Sequence, residues 1–130
     1  MNTNATPCLA ALALLAALCP PATAQWPADP SGNLAIADRS SEQILPKVAA
    51  TADGGCYVGW MDLASGNYDI YLQRLDPAGV EQWPHNGMLV SDNPQNTWVT
   101  DWDLVADSAG HCVLVINDIR AGGDWDIYAY

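Results

Sequence analysis

Short apolar runs alternate along this chain with clusters of Gly, Pro, Asn, Asp and Ser. In the first half, residues 33–37, 46–50, 56–61 and 68–75 are runs of strand length set apart in this way, and the pattern predicts four β-strands. Within 56–61, Cys56, Val58 and Trp60 share one face and Tyr57, Gly59 and Met61 the other. Residues 111–117 read His-Cys-Val-Leu-Val-Ile-Asn in the second half. Both faces of these two runs are apolar, which predicts strands buried on both sides. In 68–75, Tyr68, Ile70 and Leu72 alternate with Asp69, Tyr71 and Gln73, and Arg74 and Asp76 follow, the pattern of an outer strand half exposed to water. No amphipathic helix follows Ala24. The 13 Asp against 2 Glu agree, because Asp favours turns by bonding its own backbone whereas Glu favours helices.

The pattern is repeated. Gln25-Trp26-Pro27 returns as Gln82-Trp83-Pro84, and Gly32 and Leu34 return as Gly87 and Leu89. Gly54, Cys56, Asp62 and Gly66 correspond to Gly110, Cys112, Asp118 and Gly122, and Asp69-Ile70-Tyr71 to Asp126-Ile127-Tyr128. The offset stays between 55 and 57, with its slips in loop-like stretches that tolerate insertion. Repeat one therefore covers 25–81 and repeat two, which ends inside its last strand, covers 82–130. Trp26, Trp83, Asp62, Asp118, Asp69, Asp126, Tyr71 and Tyr128 recur in register and read as structural positions.

Four strands per unit, with a doubly buried third and a solvated fourth, describe a blade stacked between neighbours, as in a β-propeller. The order of elements carries a resemblance. Thr51 to Asp62 holds a DG turn, an apolar strand and a closing Asp; Gly66-Asn-Tyr-Asp-Ile-Tyr71 and Asp76-Pro-Ala-Gly79 follow. This resembles the TolB-type or WD40-like propeller repeat of secreted bacterial proteins, and more closely the longer repeats that add a Trp-containing segment, here Glu81-Gln-Trp-Pro84. The second copy departs with Ala109-Gly110 at the DG turn and Ile116 at the place of Trp60. The expected fold is all-β: antiparallel four-stranded blades of propeller type, two of them. A propeller closes with about 4 to 8 blades, so the reading leaves two arrangements open. Either these residues belong to a larger propeller whose remaining blades complete the ring, or three chains assemble as a homotrimer of six blades.

The N-terminal end carries an address. The apolar run 9–18 is shorter than the roughly 20 residues that span a bilayer, Pro20 and Pro21 break it, and Ala22-Thr23-Ala24 fits signal-peptidase cleavage. Residues 1–24 thus read as a signal peptide, which implies a secreted, periplasmic or cell-surface protein with no membrane insertion after cleavage. All 15 acidic and all 4 basic residues lie beyond it, giving a net charge of -11. Such a balance argues against nucleic acid, because binding phosphates requires Lys and Arg.

Candidate chemistry is sparse. Cys56 and Cys112 occupy equivalent places in stacked sheets about 10 Å apart, beyond the reach of a disulfide, so both are expected to be free. Asp62 and Asp118 each close a strand before a Gly-containing loop, as hairpin Asx-turns do. Asp101 with Asp103, and Asp124 with Asp126, sit two apart on one face; such pairs repel unless solvated or bridged by a cation, and calcium is the candidate cofactor. Trp98 and Trp102 have no aromatic counterpart in the first copy, which makes them the candidate ligand contacts. His85 and His111 lack a partner at metal spacing. No nucleophile elbow, HExxH or phosphate loop is present. The expected function is a binding or scaffold module for a protein or glycan, not an enzyme; the alternative is a carboxylate-dependent glycoside hydrolase or sialidase-like propeller, for which Arg39, Arg74 and Arg120 are the available contacts to an anionic sugar.

Overall fold

The computed structural model describes Trp26, Asp29 and residues 31–94, 101–120 and 123–130. The signal-peptide reading of 1–24 and the candidate contact Trp98 lie outside the described residues. Those described form seven strands and no helix: β1 (Gln43–Ala50), β2 (Cys56–Asp62), β3 (Asp69–Leu75), β4 (Met88–Ser91), β5 (Trp102–Ala106), β6 (Cys112–Asp118) and β7 (Asp126–Ala129). They make two antiparallel sheets, of order β1-β2-β3-β4 and β5-β6-β7.

Turn chemistry sets the hairpins. Asp76-Pro-Ala-Gly-Val80 and Asp107-Ser-Ala-Gly-His111 build the same five-residue turn. In each the Asp Oδ1 accepts two backbone N–H bonds, at 2.9 Å from Ala78 and Val80 and at 2.8 Å from Ala109 and His111. In each the glycine takes a positive φ, 79° at Gly79 and 86° at Gly110, which side chains rarely tolerate. The turn bond absent from Ala109 is thus supplied by Asp107. At the β1–β2 turn Asp53 serves instead, accepting from the Thr51 hydroxyl at 2.6 Å and the Gly55 N–H at 3.1 Å. Pro46, which has no N–H to donate, sits at a register shift in β1, an edge strand that tolerates a bulge.

The sheets pack face to face. Tyr57, Met61, Ile70 and Leu72 of the first meet Trp102, Leu104, Leu114 and Ile116 of the second in one apolar core. Gly59 allows the approach: a Cβ there would stand 2.8 Å from the Trp102 ring. The back of the first sheet carries a smaller cluster of Val58, Trp60 and Leu75, covered by Ile36 and Ala37.

Three sequence expectations need correction. Residues 33–37 form no strand; they run unpaired over the back of the first sheet, and its fourth strand is β4, from beyond Trp83. The run 68–75 is not an outer strand, because β4 covers its edge and makes β3 interior. The buried Gln73 is accommodated by bonding: its Nε2 donates to the Trp83 and Pro84 carbonyls at 3.3 and 3.1 Å, and its Oε1 accepts from the Trp83 N–H at 3.1 Å. β2 is buried on both faces, but β6 is not: Leu114 and Ile116 are buried while Val113 and Val115 are exposed, since no layer among the described residues lies on that side.

Candidate functional site

Register brings the repeated aspartates together in pairs. Asp62 stands opposite Asp69 across β2 and β3, and Asp118 opposite Asp126 across β6 and β7. Asp62 and Asp118 are buried, 1% and 0% exposed, at the ends of their strands. Asp62 Oδ1 accepts the Ala64 N–H at 2.8 Å, the expected Asx-turn. Its Oδ2 lies 3.8 Å from Arg39 and accepts no hydrogen bond. Asp118 is gripped far more tightly: Arg120 donates Nε at 2.9 and 3.1 Å and Nη2 at 2.8 Å. The Tyr130 hydroxyl, which also bonds Arg120, donates to Asp118 Oδ2 at 3.3 Å and bonds Ser91 of β4 at 3.0 Å, tying the second sheet to the first. The arginines also lie over the recurring tyrosines, Arg39 4.2 Å from the Tyr71 ring centre and Arg120 3.4 Å from that of Tyr128. Two Asp–Arg–Tyr clamps result, built on equivalent Asp and Tyr positions.

The remaining cations are engaged in the same manner. Arg74 pairs with Asp53 at 2.7 Å and lies 5.0 Å from the Tyr57 ring centre. Lys47 reaches from β1 to Asp101 at 3.4 Å and Asp103 at 3.8 Å, with the Trp102 ring centre 5.5 Å away. Every one of the chain's 4 Lys and Arg residues therefore meets a carboxylate and an aromatic ring of its own chain. A cation so held is partly neutralised, and an anionic ligand must compete with its carboxylate.

The candidate calcium ligands fall into two separate places. Asp101 and Asp103 share Lys47 beside β5, whereas the exposed Asp124 and Asp126 lie by β7, on the other side of β6 and roughly 10 Å away at the usual strand spacing. Among the described residues no three His, Cys, Asp or Glu side chains are grouped closely enough to hold a metal ion. Of the tryptophans, Trp102 is buried between the sheets and Trp83 packs on Tyr57 at 5.9 Å between ring centres. Trp26 is exposed beside Gly79, whose built Cβ would stand 3.2 Å from the indole. Trp102 also borders a groove of about 230 Å³ lined by Lys47, Asp101, Asp103, Val115, Asn117 and Ile127. Its indole Nε1–H is buried without an acceptor.

Cys56 and Cys112 are free, half-buried thiols, and burial pushes both above the usual thiol range. Sequence reasoning passed over both histidines. His85 Nδ1 lies 3.1 Å from both Glu81 oxygens and Nε2 3.1 Å from Asp38 Oδ1, so these carboxylates raise its pKa. Bonds from Asn86 and His85 in turn hold Asp38 below the carboxylate range. The Asp38 backbone N–H also donates to Asn86 Oδ1 at 2.8 Å, and together these bonds pin the 33–39 segment to the β3–β4 loop. His111 Nδ1 lies 2.9 Å from Asp107, whose carboxyl this bond lowers. The only advance signal for such links was the presence of His in a strongly acidic chain. Compared with protein-family models, curated proteins and solved structures, the chain matches none.

Proposed function

We propose that this chain is a secreted, non-catalytic module of propeller type that scaffolds or binds a neutral or cationic partner, a protein or an uncharged glycan, within an assembly of further blades. The observation that carries this reading is the stack itself. Two sheets of the same register and sequence pattern lie face to face, and the outer face of the second exposes Val105, Val113, Val115 and Ile127 beside Asp103 and Asn117, with no layer of the described residues on it. A surface of this kind serves stacking. The charge distribution supports the ligand class, since the net charge is -11 and each cation is already paired within the chain.

Binding and turnover measured on one preparation test it. Neutral oligosaccharides or basic peptides are expected to bind without being altered, sialylated ones to be ignored, and replacement of any single exposed Asp to leave the titration within about twofold. Hydrolysis of a glycoside that one Asp substitution abolishes overturns the reading.

A further inference from the structure

The buried polar atoms without partners are not scattered over the molecule. Among the described residues four such side-chain atoms make no hydrogen bond: Gln43 Nε2, Trp60 Nε1, Asp62 Oδ2 and Trp102 Nε1. Three of the four lie on the back of the first sheet, at the end where β1 begins and β2 stops. Trp60 and Asp62 stand two apart on β2 and so share a face, and Gln43 of β1 is directly opposite Asp62, which puts its side chain on that face too. Trp60 is 3% exposed and Asp62 1%. A buried donor or acceptor without a partner lowers stability, and the second repeat shows how packing alone avoids the loss. There Ile116 stands at the place of Trp60, and Arg120 bonds both oxygens of Asp118.

Two of these side chains line a cavity. Gln43 and Trp60 border a space of about 270 Å³ between the sheet and the 33–39 segment, whose apolar walls include Leu34, Ile36, Pro46 and Val58. At about 30 Å³ per molecule of liquid water, this is several times the room a single bridging water needs. It falls just short of the roughly 300–1,000 Å³ of drug-sized sites, so the occupant it suits is one small ring. No Lys or Arg lines it. The nearest cation to this polar end, Arg39, is already shared between Asp62 at 3.8 Å and the Tyr71 ring at 4.2 Å, and the chain's net charge is -11, so an anion is disfavoured. A hydrocarbon would leave both donors unpaired. A hydroxyl suits every orphan on this face: its oxygen accepts from Trp60 Nε1 or Gln43 Nε2 and its proton is donated to Asp62 Oδ2. It also serves whichever way the Gln43 amide is turned, because it both donates and accepts.

We infer that this cavity binds a neutral ring bearing several hydroxyls, a single sugar unit of an uncharged glycan, through Trp60 Nε1 and Gln43, with Asp62 accepting a hydroxyl proton at its polar end. The inference rests on the binding-module reading above and gives that module a ligand class and a place. Burial of the apolar faces of the ring against Leu34, Ile36 and Val58 supplies affinity, and the orphan atoms supply selection, since a site that must satisfy buried polar groups rejects an analogue lacking the matching hydroxyl. The 33–39 segment forms one wall without pairing to any strand, and Asn86 and His85 tie it down at Asp38. It is the wall that lifts to admit the ring.

Titration of the full chain with glucose, galactose and mannose, followed by NMR at the side-chain N–H groups, tests the inference. At least one of these sugars is expected to shift the Trp60 indole N–H and the Gln43 amide signals, which Trp60→Phe and Gln43→Leu identify by deleting them. Glucuronate and toluene are expected to shift neither. Each substitution should weaken sugar binding by about tenfold, the loss of one hydrogen bond. Gln43→Leu carries a second readout that needs no sugar: because it removes a donor that has no partner, the urea midpoint of the free chain is expected to hold or rise. Four results overturn the inference: none of the three sugars moves these signals; a sugar binds with the same affinity to Gln43→Leu; glucuronate or toluene moves the signals as a sugar does; or Gln43→Leu lowers the midpoint, which would mean that Gln43 is already bonded within the folded chain. Each of these leaves the binding-module reading standing, with its ligand elsewhere. Hydrolysis of the methyl glycosides of the same sugars would instead sink that reading and leave the cavity as their site.

Discussion

Among the described residues the first sheet is covered on both faces and the second on one. The inner strands of each carry comparable apolar residues: Val113 and Val115 on β6 are as suited to burial as Tyr57 and Gly59 on β2. What differs is the number of layers. The second sheet covers one face of the first and the 33–39 segment the other, whereas among the described residues the second sheet has only the first against it. An apolar face states what a strand is fit to touch; burial is a property of what lies on it. Ile127 is 72% exposed and Val105 54%, while Ile70, at the place equivalent to Ile127, is fully buried. The same residue type in the same repeat position thus contributes a filled core in one sheet and an unfilled surface in the other.

Substitution across the two faces of the second sheet gives the largest contrast. Trp102→Ala empties the intersheet core and is expected to cost about 3–5 kcal/mol, read as a fall in the urea midpoint. Ile127→Ala in the monomeric chain should stay within about 0.5 kcal/mol, as surface changes do. Equal losses would mean that the outer face is covered in solution.

The two Asp–Arg–Tyr clamps sharpen the comparison at a smaller scale. Asp118→Ala strands Arg120 and is expected to cost about 3 kcal/mol, near the low end for a broken buried pair because the arginine reaches solvent. Asp62→Ala loses the bond to Ala64 and a looser contact at 3.8 Å, so about 1–2 kcal/mol is expected. Urea denaturation of the two variants side by side measures the difference, and the reverse order would show that Arg39 closes on Asp62 in solution.

The smallest effect concerns pH. Hydrogen bonds to Glu81 and Asp38 favour the protonated form of His85, so its pKa in the folded chain lies above the unfolded value of 6.5. The stabilisation from this is complete below 6.5 and is lost as pH rises through the higher folded value. Amides of the 33–39 segment should therefore exchange faster at pH 8.5 than at pH 6, after correction for intrinsic rates, and His85→Gln should remove that excess. Equal corrected rates in the native chain would show that the Asn86 bonds hold the segment alone.

Legibility followed locality. Hairpin turns, strand runs and the Asp62 Asx-turn were visible because each depends on residues within a few positions of one another. The strand partners were misassigned where they depended on distance: the chain reads as a repeat from Gln25 and Gln82, but the first sheet takes its strands from Gln43 through Ser91 and crosses that boundary. The clamp arginines were invisible as clamps, since Arg39 comes from the segment before β1 and Arg120 from the loop after β6, with no shared register. Asp101 and Asp103 were rightly expected to face one way, and the cation that meets them is Lys47, from another sheet.

By itself the sequence determined the all-β class, the turn positions, the internal repeat and the acidic surface, because these follow from side-chain period, backbone preference and charge, which act locally or simply add. Only the tertiary structure decided which apolar faces are buried, which strand lies outermost, and that all four cations are paired within the chain. Those outcomes depend on which layers meet, and two segments of similar composition become core or surface according to what is laid against them.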